Sequence, residues 1–393
     1  MRKTFRGRAA AAAVLAFGLL ASACGGDDGG DSSSNTGSTG TGSSGATTTT
    51  AKATPVAGGS ATVQLFSEIA TLDPVKATGS GGSDGQRFFP LYGALMVFDG
   101  NTQKMEYMLA DSFAPDSTNK VWTLKLKAGN KFTDGTDFNA EAVKANYERC
   151  QVAANASPAR GTCGFFTKME VTDPLTLVIT NAVPTAHLDK SVARTGLNYI
   201  ASKKAIDDKT DMTSKPVGAG PYKLDSWTRD SKMEMSKNPD WKATPVYLDK
   251  LTLQVQSNEQ QRIDSFGTGA SDAFYTSVPG SIETALKNVK DSYQTKIEVT
   301  TGQTFVMNNT KAPFDDARIR KAIITAIPRD VLAQDIMNKS IPAQFFSVPG
   351  TPFHSENAKL PAYDVAAAQK LIDEYVAEKG GPVKFTMLAF QQT

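Results

Sequence analysis

The N-terminal stretch constrains this chain more than any motif behind it, because it sets the compartment and removes itself from the fold. Arg2, Lys3, Arg6 and Arg8 form a positive start, and Ala9 to Ala21 form a short apolar run. That run is about 13 residues, well short of the roughly 20 that span a bilayer as a helix, and it has the build of an export signal. It closes on Leu20-Ala21-Ser22-Ala23-Cys24, where the small residues suit a signal peptidase. From Gly25 to about Gly59 the chain is Gly, Ser, Thr and Asp with scarcely an apolar side chain. Such a segment cannot bury enough surface to offset its ordering entropy, so disorder is expected. A flexible chain of that length reaches on the order of 30 Å end to end. The expected order is a signal over 1–23, a tether over 24–59, and a folded body from Ser60 to Thr393.

That body is too long for one ordinary domain. The whole chain carries 42 basic and 40 acidic side chains, a net charge of only +2, which gives no nucleic-acid footprint and no basic membrane patch. Besides Cys24 there are Cys150 and Cys163, and an even pair in an exported chain reads as a disulfide. Its loop closure is worth on the order of 3 kcal/mol if unstrained.

Reactive constellations are scarce. His187 and His354 are the two histidines and lie far apart in sequence, with no Cys/His cluster to hold a metal. There is no G-x-S-x-G elbow and no P-loop lysine. The run Gly79 to Gly85 lacks a following G-K-[ST] and reads as a flexible loop. Asp134, Asp137 and Asn139 fit no EF-hand spacing and read as a turn plus a helix cap. No catalytic residue, metal site or cofactor is therefore assigned.

Along the body, Ala61 to Phe66 alternates as a strand and Arg87 to Leu95 has a helical look, leading to a strand end at Val97-Phe98-Asp99. In Val121 to Lys127, Trp122, Leu124 and Leu126 share one face opposite Thr123, Lys125 and Lys127, as a half-solvated strand requires. A second short strand is expected through Phe132. Asn139 should cap a helix from Ala140 whose stripe Val143, Tyr147 and Cys150 faces inward. Leu175 to Thr180 is another strand, and Lys215 to Tyr222 is a dense glycine/proline break. Later come alternation over Leu251 to Val255, a short helix within Ile263 to Phe274, and a helix carrying Ile319, Ile323 and Ile327. Asp364 should cap a further helix with Ala368, Leu371, Ile372, Tyr375 and Val376 on one stripe, and Val383 to Phe390 a strand. Strands and helices mix without strict alternation, so the class is α/β (mixed α+β).

Four blocks in this order resemble the extracellular solute-binding proteins of family 5, the binding components of oligopeptide-, dipeptide- and nickel-type ABC importers. They are Leu126 to Val143 with its Phe132-Thr133-Asp134-Gly135, Pro216 to Trp227 with its Gly218-Ala219-Gly220-Pro221-Tyr222, the turn Asn238 to Trp241, and Asn308 to Arg329. The usual His before Asp134 is Thr133, and the usual Asp before Arg329 is Pro328. The Leu20-to-Cys24 stretch is similar to a lipobox, which implies a lipid-modified Cys24.

The resemblance implies a periplasmic-binding-protein-like class II fold, pear-shaped, two lobes with an extra inserted domain. Domain I would take 60–93 and 215–298, domain II 94–214, and domain III 299–393, with hinge crossovers near Lys215 and Val299. Family members run longer, so the third domain is expected to be truncated at Thr393. By family position the ligand-facing candidates are Arg87, Phe88, Tyr92, Phe274, Tyr275, Phe305 and Asn308. Arg87 is expected to clamp a ligand carboxylate bidentately. The function implied is an extracytoplasmic, monomeric binding lipoprotein on the cell membrane. It would capture a small molecule or peptide and pass it to ABC permease subunits, changing no covalent bond. An exported hydrolase, or a signalling or chaperone lipoprotein on the same fold, is the alternative.

Overall fold

The computed structural model describes residues 55–387 apart from 80–81, 100–101, 103, 277–280, 282–283, 286, 288–304, 337–341, 348 and 350–353. The signal, Cys24, nearly all of the tether and the crossover at Val299 lie outside the described residues.

β1 (Ser60–Leu65) opens the body, and Asp73 then caps a 3-10 turn over Pro74–Lys76. Helix α1 (Gly82–Tyr92) begins within the glycine run that read as a flexible loop. Asp84 is the reason for the difference: it sits in the first turn, where the helix dipole favours an anion, and its carboxylate accepts from the Thr78 amide at 2.8 Å. β2 (Met96–Asp99) and β3 (Lys104–Tyr107) form an antiparallel ribbon.

β4 (Ala110–Pro115), β5 (Val121–Leu126), β6 (Phe166–Asp173) and β7 (Thr176–Asn181) form an antiparallel sheet in the order β4-β5-β7-β6. Trp122, Leu124 and Leu126 are buried from β5 while Lys125 is exposed, so the alternation read in the sequence sets its faces. Helix α2 (Ala140–Gln151) buries Val143, Tyr147 and Cys150, and Asn139 Oδ1 accepts from the Ala142 amide at 3.0 Å to cap it. Cys150 is disulfide-bonded to Cys163, the last residue of α3 (Arg160–Cys163). α4 (Leu188–Ala193) and α5 (Lys203–Asp207) follow β7. The strand expected through Phe132 is reduced to one bridge, Lys131 with Asp137. The Phe132 amide donates to Thr136 O at 2.8 Å and that of Gly135 to Phe132 O at 2.9 Å, which closes a tight turn instead.

β8 (Tyr222–Thr228), β9 (Lys232–Lys237), β10 (Lys250–Val255) and β11 (Ala273–Phe274) join β1 in a five-stranded sheet. Its order is β11-β1-β10-β9-β8, and β1 runs parallel to both neighbours: Val63 faces Leu253 on one side and Ala273 on the other. Helix α6 (Glu259–Gly267) connects β10 to β11. Leu65, Leu72, Phe88, Leu91, Tyr92, Tyr199, Met233 and Leu253 form the core of this sheet. Phe113, Trp122, Leu124, Phe132, Tyr147 and Ile179 anchor that of the antiparallel one.

Further on, α7 (Ala317–Ala326) packs on α8 (Val365–Lys379), where Asp364 accepts from the Ala367 amide at 2.9 Å as the cap. Arg318 joins the two helices, pairing with Asp316 at 2.7 Å and Glu378 at 2.9 Å over the Tyr375 ring. Ile327 is the C-cap of α7 and not a member of its stripe. Residues Val383–Met387 form no strand, for want of a pairing partner among the described residues; 388–390 lie outside them. Parallel and antiparallel strands with helices between them make this a mixed α/β fold.

Candidate ligand-binding edge

In sheets with parallel strands, ligands settle beyond the carboxyl ends, where connections depart to either side of one strand. β1 is that strand here, with β10 and β11 flanking it. Phe66, the residue after β1, is 40% exposed. Tyr275, the residue after β11, is half-buried, and its amide donates to Gln64 O at 3.1 Å. The two rings stand 5.6 Å apart, tilted by 33°. Phe274 turns the other way and packs on Phe266 of α6 at 5.3 Å.

The loops at this edge are stapled. After β10, Asn258 caps α6 by accepting from the Gln261 amide at 3.0 Å. Arg262 is buried and donates to Gln256 O at 2.5 Å and Ser257 O at 3.0 Å, and it also pairs with Glu259. Glu259 in turn accepts from the Thr276 hydroxyl just past β11. The edge therefore presents an aromatic surface on a backbone already fixed, the form of a preorganised apolar site with few polar groups.

The sequence-derived candidates divide. Phe274 and Tyr275 stand at this edge. Arg87, Phe88 and Tyr92 do not: they are 1%, 1% and 0% exposed, on the inward face of α1. Phe88 stacks on Tyr199 at 5.4 Å, and the Tyr92 hydroxyl donates to Leu72 O at 2.8 Å. Arg87 Nη2 donates to Ser67 O at 2.8 Å and lies 3.4 Å from Glu68 Oε1. Burial lowers the pKa of its guanidinium, against the opposing charges of Glu68 and Asp84. A carboxylate clamp needs an open guanidinium edge, and in this structure the Arg87 guanidinium is turned to Ser67 and Glu68. Phe305 meets Phe314 edge-on at 6.4 Å, and Asn308 Oδ1 accepts from the Thr310 amide at 3.1 Å and hydroxyl at 2.8 Å. No described contact joins either to Phe66 or Tyr275. The sequence marks Phe66 only as the end of a strand; the signal for more is a large apolar residue at a strand terminus beside a polar loop.

Among the described residues no three His, Cys, Asp or Glu side chains gather as a metal site, and no helix is long and apolar enough to cross a membrane. Residues 104–393 match the family described as bacterial extracellular solute-binding proteins, family 5. The chain belongs to that family.

Its family 5 relatives include the glutathione-binding protein GsiB of Escherichia coli strain K12, 28% identical over 319 residues. That alignment takes in 81% of this chain and 62% of GsiB, so the chain spans less than two thirds of that relative's length. Among solved structures the fold is similar to AgaA of A. tumefaciens R10, in complex with agropinic acid, with TM-score 0.68 at 22% identity. That match covers 82% of this chain and 65% of AgaA. DppA of Helicobacter pylori, in complex with the peptide STSA, matches with TM-score 0.65 at 22% identity, covering 83% and 67% of the two chains. This chain shares with AgaA and DppA the periplasmic-binding-protein fold of the family 5 type.

Proposed function

We propose that this chain is the solute-capturing component of a bacterial ABC importer, acting outside the cytoplasm and held to the cell membrane by a lipid on Cys24. It binds a small solute, a peptide foremost, and hands it unchanged to permease subunits; it works as a monomer and catalyses no reaction. The observation that carries this reading is the pair of exposed Phe66 and half-buried Tyr275 at the carboxyl edge of parallel strands, in a family 5 fold. Module limits follow the sequence reading: 60–93 with 215–298, 94–214 inserted, and a further module from 299. Closure of that further module over the edge would desolvate the solute. Phe305 and Asn308 are proposed to reach it in that closed form, and Arg87, Phe88 and Tyr92 to support it from the core.

The test is a thermal-shift and calorimetric screen of the full chain. The panel is reduced glutathione, the dipeptide Met-Leu, trialanine, agropinic acid and nickel–histidine. A binder at a hundredfold excess over Kd stabilises the native state by about 2.7 kcal/mol and is recovered intact. Turnover of any panel member would overturn the non-enzyme reading, and Phe66→Ala binding as tightly as wild type would remove the ligand from this edge. Mass spectrometry of the membrane fraction checks the anchor: a diacylated N-terminus at Cys24 is expected, and an unmodified one refutes it.

A further inference from the structure

The loop that leaves β1 is tied down from two sides by one carboxylate. Glu68, two residues past Phe66 in the chain, has a side chain only 14% exposed. Its Oε1 accepts from the Ile69 amide at 2.8 Å and stands 3.4 Å from Arg87 Nη2 on α1. Its Oε2 accepts from the Asp230 amide at 2.9 Å and from Trp227 Nε1 at 3.4 Å, both at the tip of the β8–β9 hairpin. Arg229 reinforces the same tie: stacked 4.2 Å over the Trp227 ring, it donates to Ile69 O at 2.9 Å and Ala70 O at 2.8 Å. The hairpin is separated from β1 by β10, at the far side of the sheet, yet it reaches back across the sheet end to hold this loop.

Phe66 stands between two fixed points. Behind it the β1 ladder ends at Leu65, whose carbonyl accepts from the Gln256 amide at 2.8 Å. Ahead of it the Glu68 cluster pins Ser67 to Ala70. An exposed aromatic on an unpinned loop would have to be ordered when ligand arrives, at an entropic cost that weakens binding. Here the backbone is ordered beforehand.

Only a carboxylate satisfies this arrangement, because the groups aimed at Glu68 are all donors. A carboxamide of the same shape would turn its NH₂ toward two of them. We propose that Glu68 is a positioning residue for solute binding: through the hairpin and α1 it presets Phe66 against Tyr275 before ligand arrives. This rests on the reading that ligand lies on the Phe66–Tyr275 edge.

The test places 4-fluorophenylalanine at position 66 of the full chain and records its fluorine NMR resonance without ligand. A single resonance is expected, displaced by the Tyr275 ring and shifted in Tyr275→Leu. In Glu68→Gln that resonance should broaden or move toward the Tyr275→Leu position, while the same label at the core residue Phe113 keeps its shift. A role limited to stability would lower the melting temperature and leave the position-66 resonance in place; that result overturns the inference. Against the panel solute that binds, Glu68→Gln and Phe66→Ala should each weaken affinity about tenfold, and the double variant no more than either alone. If Phe66→Ala binds normally, the edge reading fails whatever the NMR shows. If Phe66→Ala weakens binding and Glu68→Gln does not, only the positioning role fails.

Discussion

Gly218 and Gly220 show how a local sequence block is dictated by distant backbone. A Cβ on Gly218 would lie 2.3 Å from Leu91 O, and one on Gly220 2.3 Å from Pro90 O. These are carbonyls at the end of α1, which cannot rotate aside as a side-chain tip could, and Gly220 N donates to Leu91 O at 3.1 Å. Gly220→Ala should therefore cost about 1–3 kcal/mol, the usual penalty of overpacking, read as a lower urea midpoint at unchanged slope. The Thr133 amide donates to Gly218 O at 2.8 Å, which brings the turn at Asp134 to the same junction. There Asp134 accepts from Ser202 Oγ at 2.5 Å and from Thr136 through its hydroxyl at 2.6 Å and its amide at 3.0 Å. Burial, the largest single influence, pushes this carboxyl's pKa up, but the Ser202 and Thr136 hydrogen bonds and the charge of Lys204 together hold it below the ordinary value. A carboxyl depressed in the folded state adds stability that is complete above its unfolded pKa, about 3.9, and is lost as pH falls through the folded value. Urea midpoints of wild type and Asp134→Asn should thus differ most near pH 7 and draw together toward about pH 3. A constant gap across that range would rule out the titration of Asp134 as its origin.

At the level of elements, local signals were readable and destinations were not. The caps at Asn139 and Asp364 and the alternating faces of β5 depend on residues within one turn or one strand, so the sequence displays them. Arg87 is different: a guanidinium beside a glycine run looks available, and only the return of Ser67 and Glu68 to α1 makes it a buried tie. Phe66 is exposed because β11 beyond it is a two-residue edge strand, a fact of sheet order with no local signature. The disulfide lies between these cases, since an even pair suggests it, but its mechanical effect comes from where it sits. It joins the last turn of α2 to α3, one residue beyond Arg149, and Gln151 Nε2 donates to Cys163 O at 3.0 Å and Phe166 O at 2.7 Å. The Cys150→Ala/Cys163→Ala double variant should lose about 2–4 kcal/mol, measured against the oxidised protein in urea. Amide exchange should rise first at the end of α2 and in α3; uniform acceleration across the antiparallel sheet would instead indicate a global effect.

Across the molecule, the two sheets are joined by chemistry that should make them unfold together. Val217 and Val246 pack against the cores of both. Arg149, on the helix that covers the antiparallel sheet, meets Asp73, on the loop following β1, through two hydrogen bonds of 3.2 and 2.6 Å. Their side chains are 20% and 10% exposed, so the pair is screened far less than a surface ion pair, and removing one partner strands a mostly buried charge. Trp122 in β5 and Trp227 in β8 place one fluorophore in each sheet. With Trp241, which packs in the core of the antiparallel sheet, replaced by Phe, variants that keep only Trp122 or only Trp227 should give coincident urea transitions, as a single cooperative unit requires. Arg149→Ala should lower stability by about 2–4 kcal/mol, nearer the cost of breaking a buried pair than a surface one, and pull the two transitions apart. Asp73→Ala/Arg149→Ala should recover part of that loss, because it leaves no unpaired charge behind, although it forfeits the cap that Asp73 gives the Val75 amide at 3.2 Å. Transitions already separate in the wild-type chain would mean that the sheets fold independently and that Arg149 joins them without coupling them.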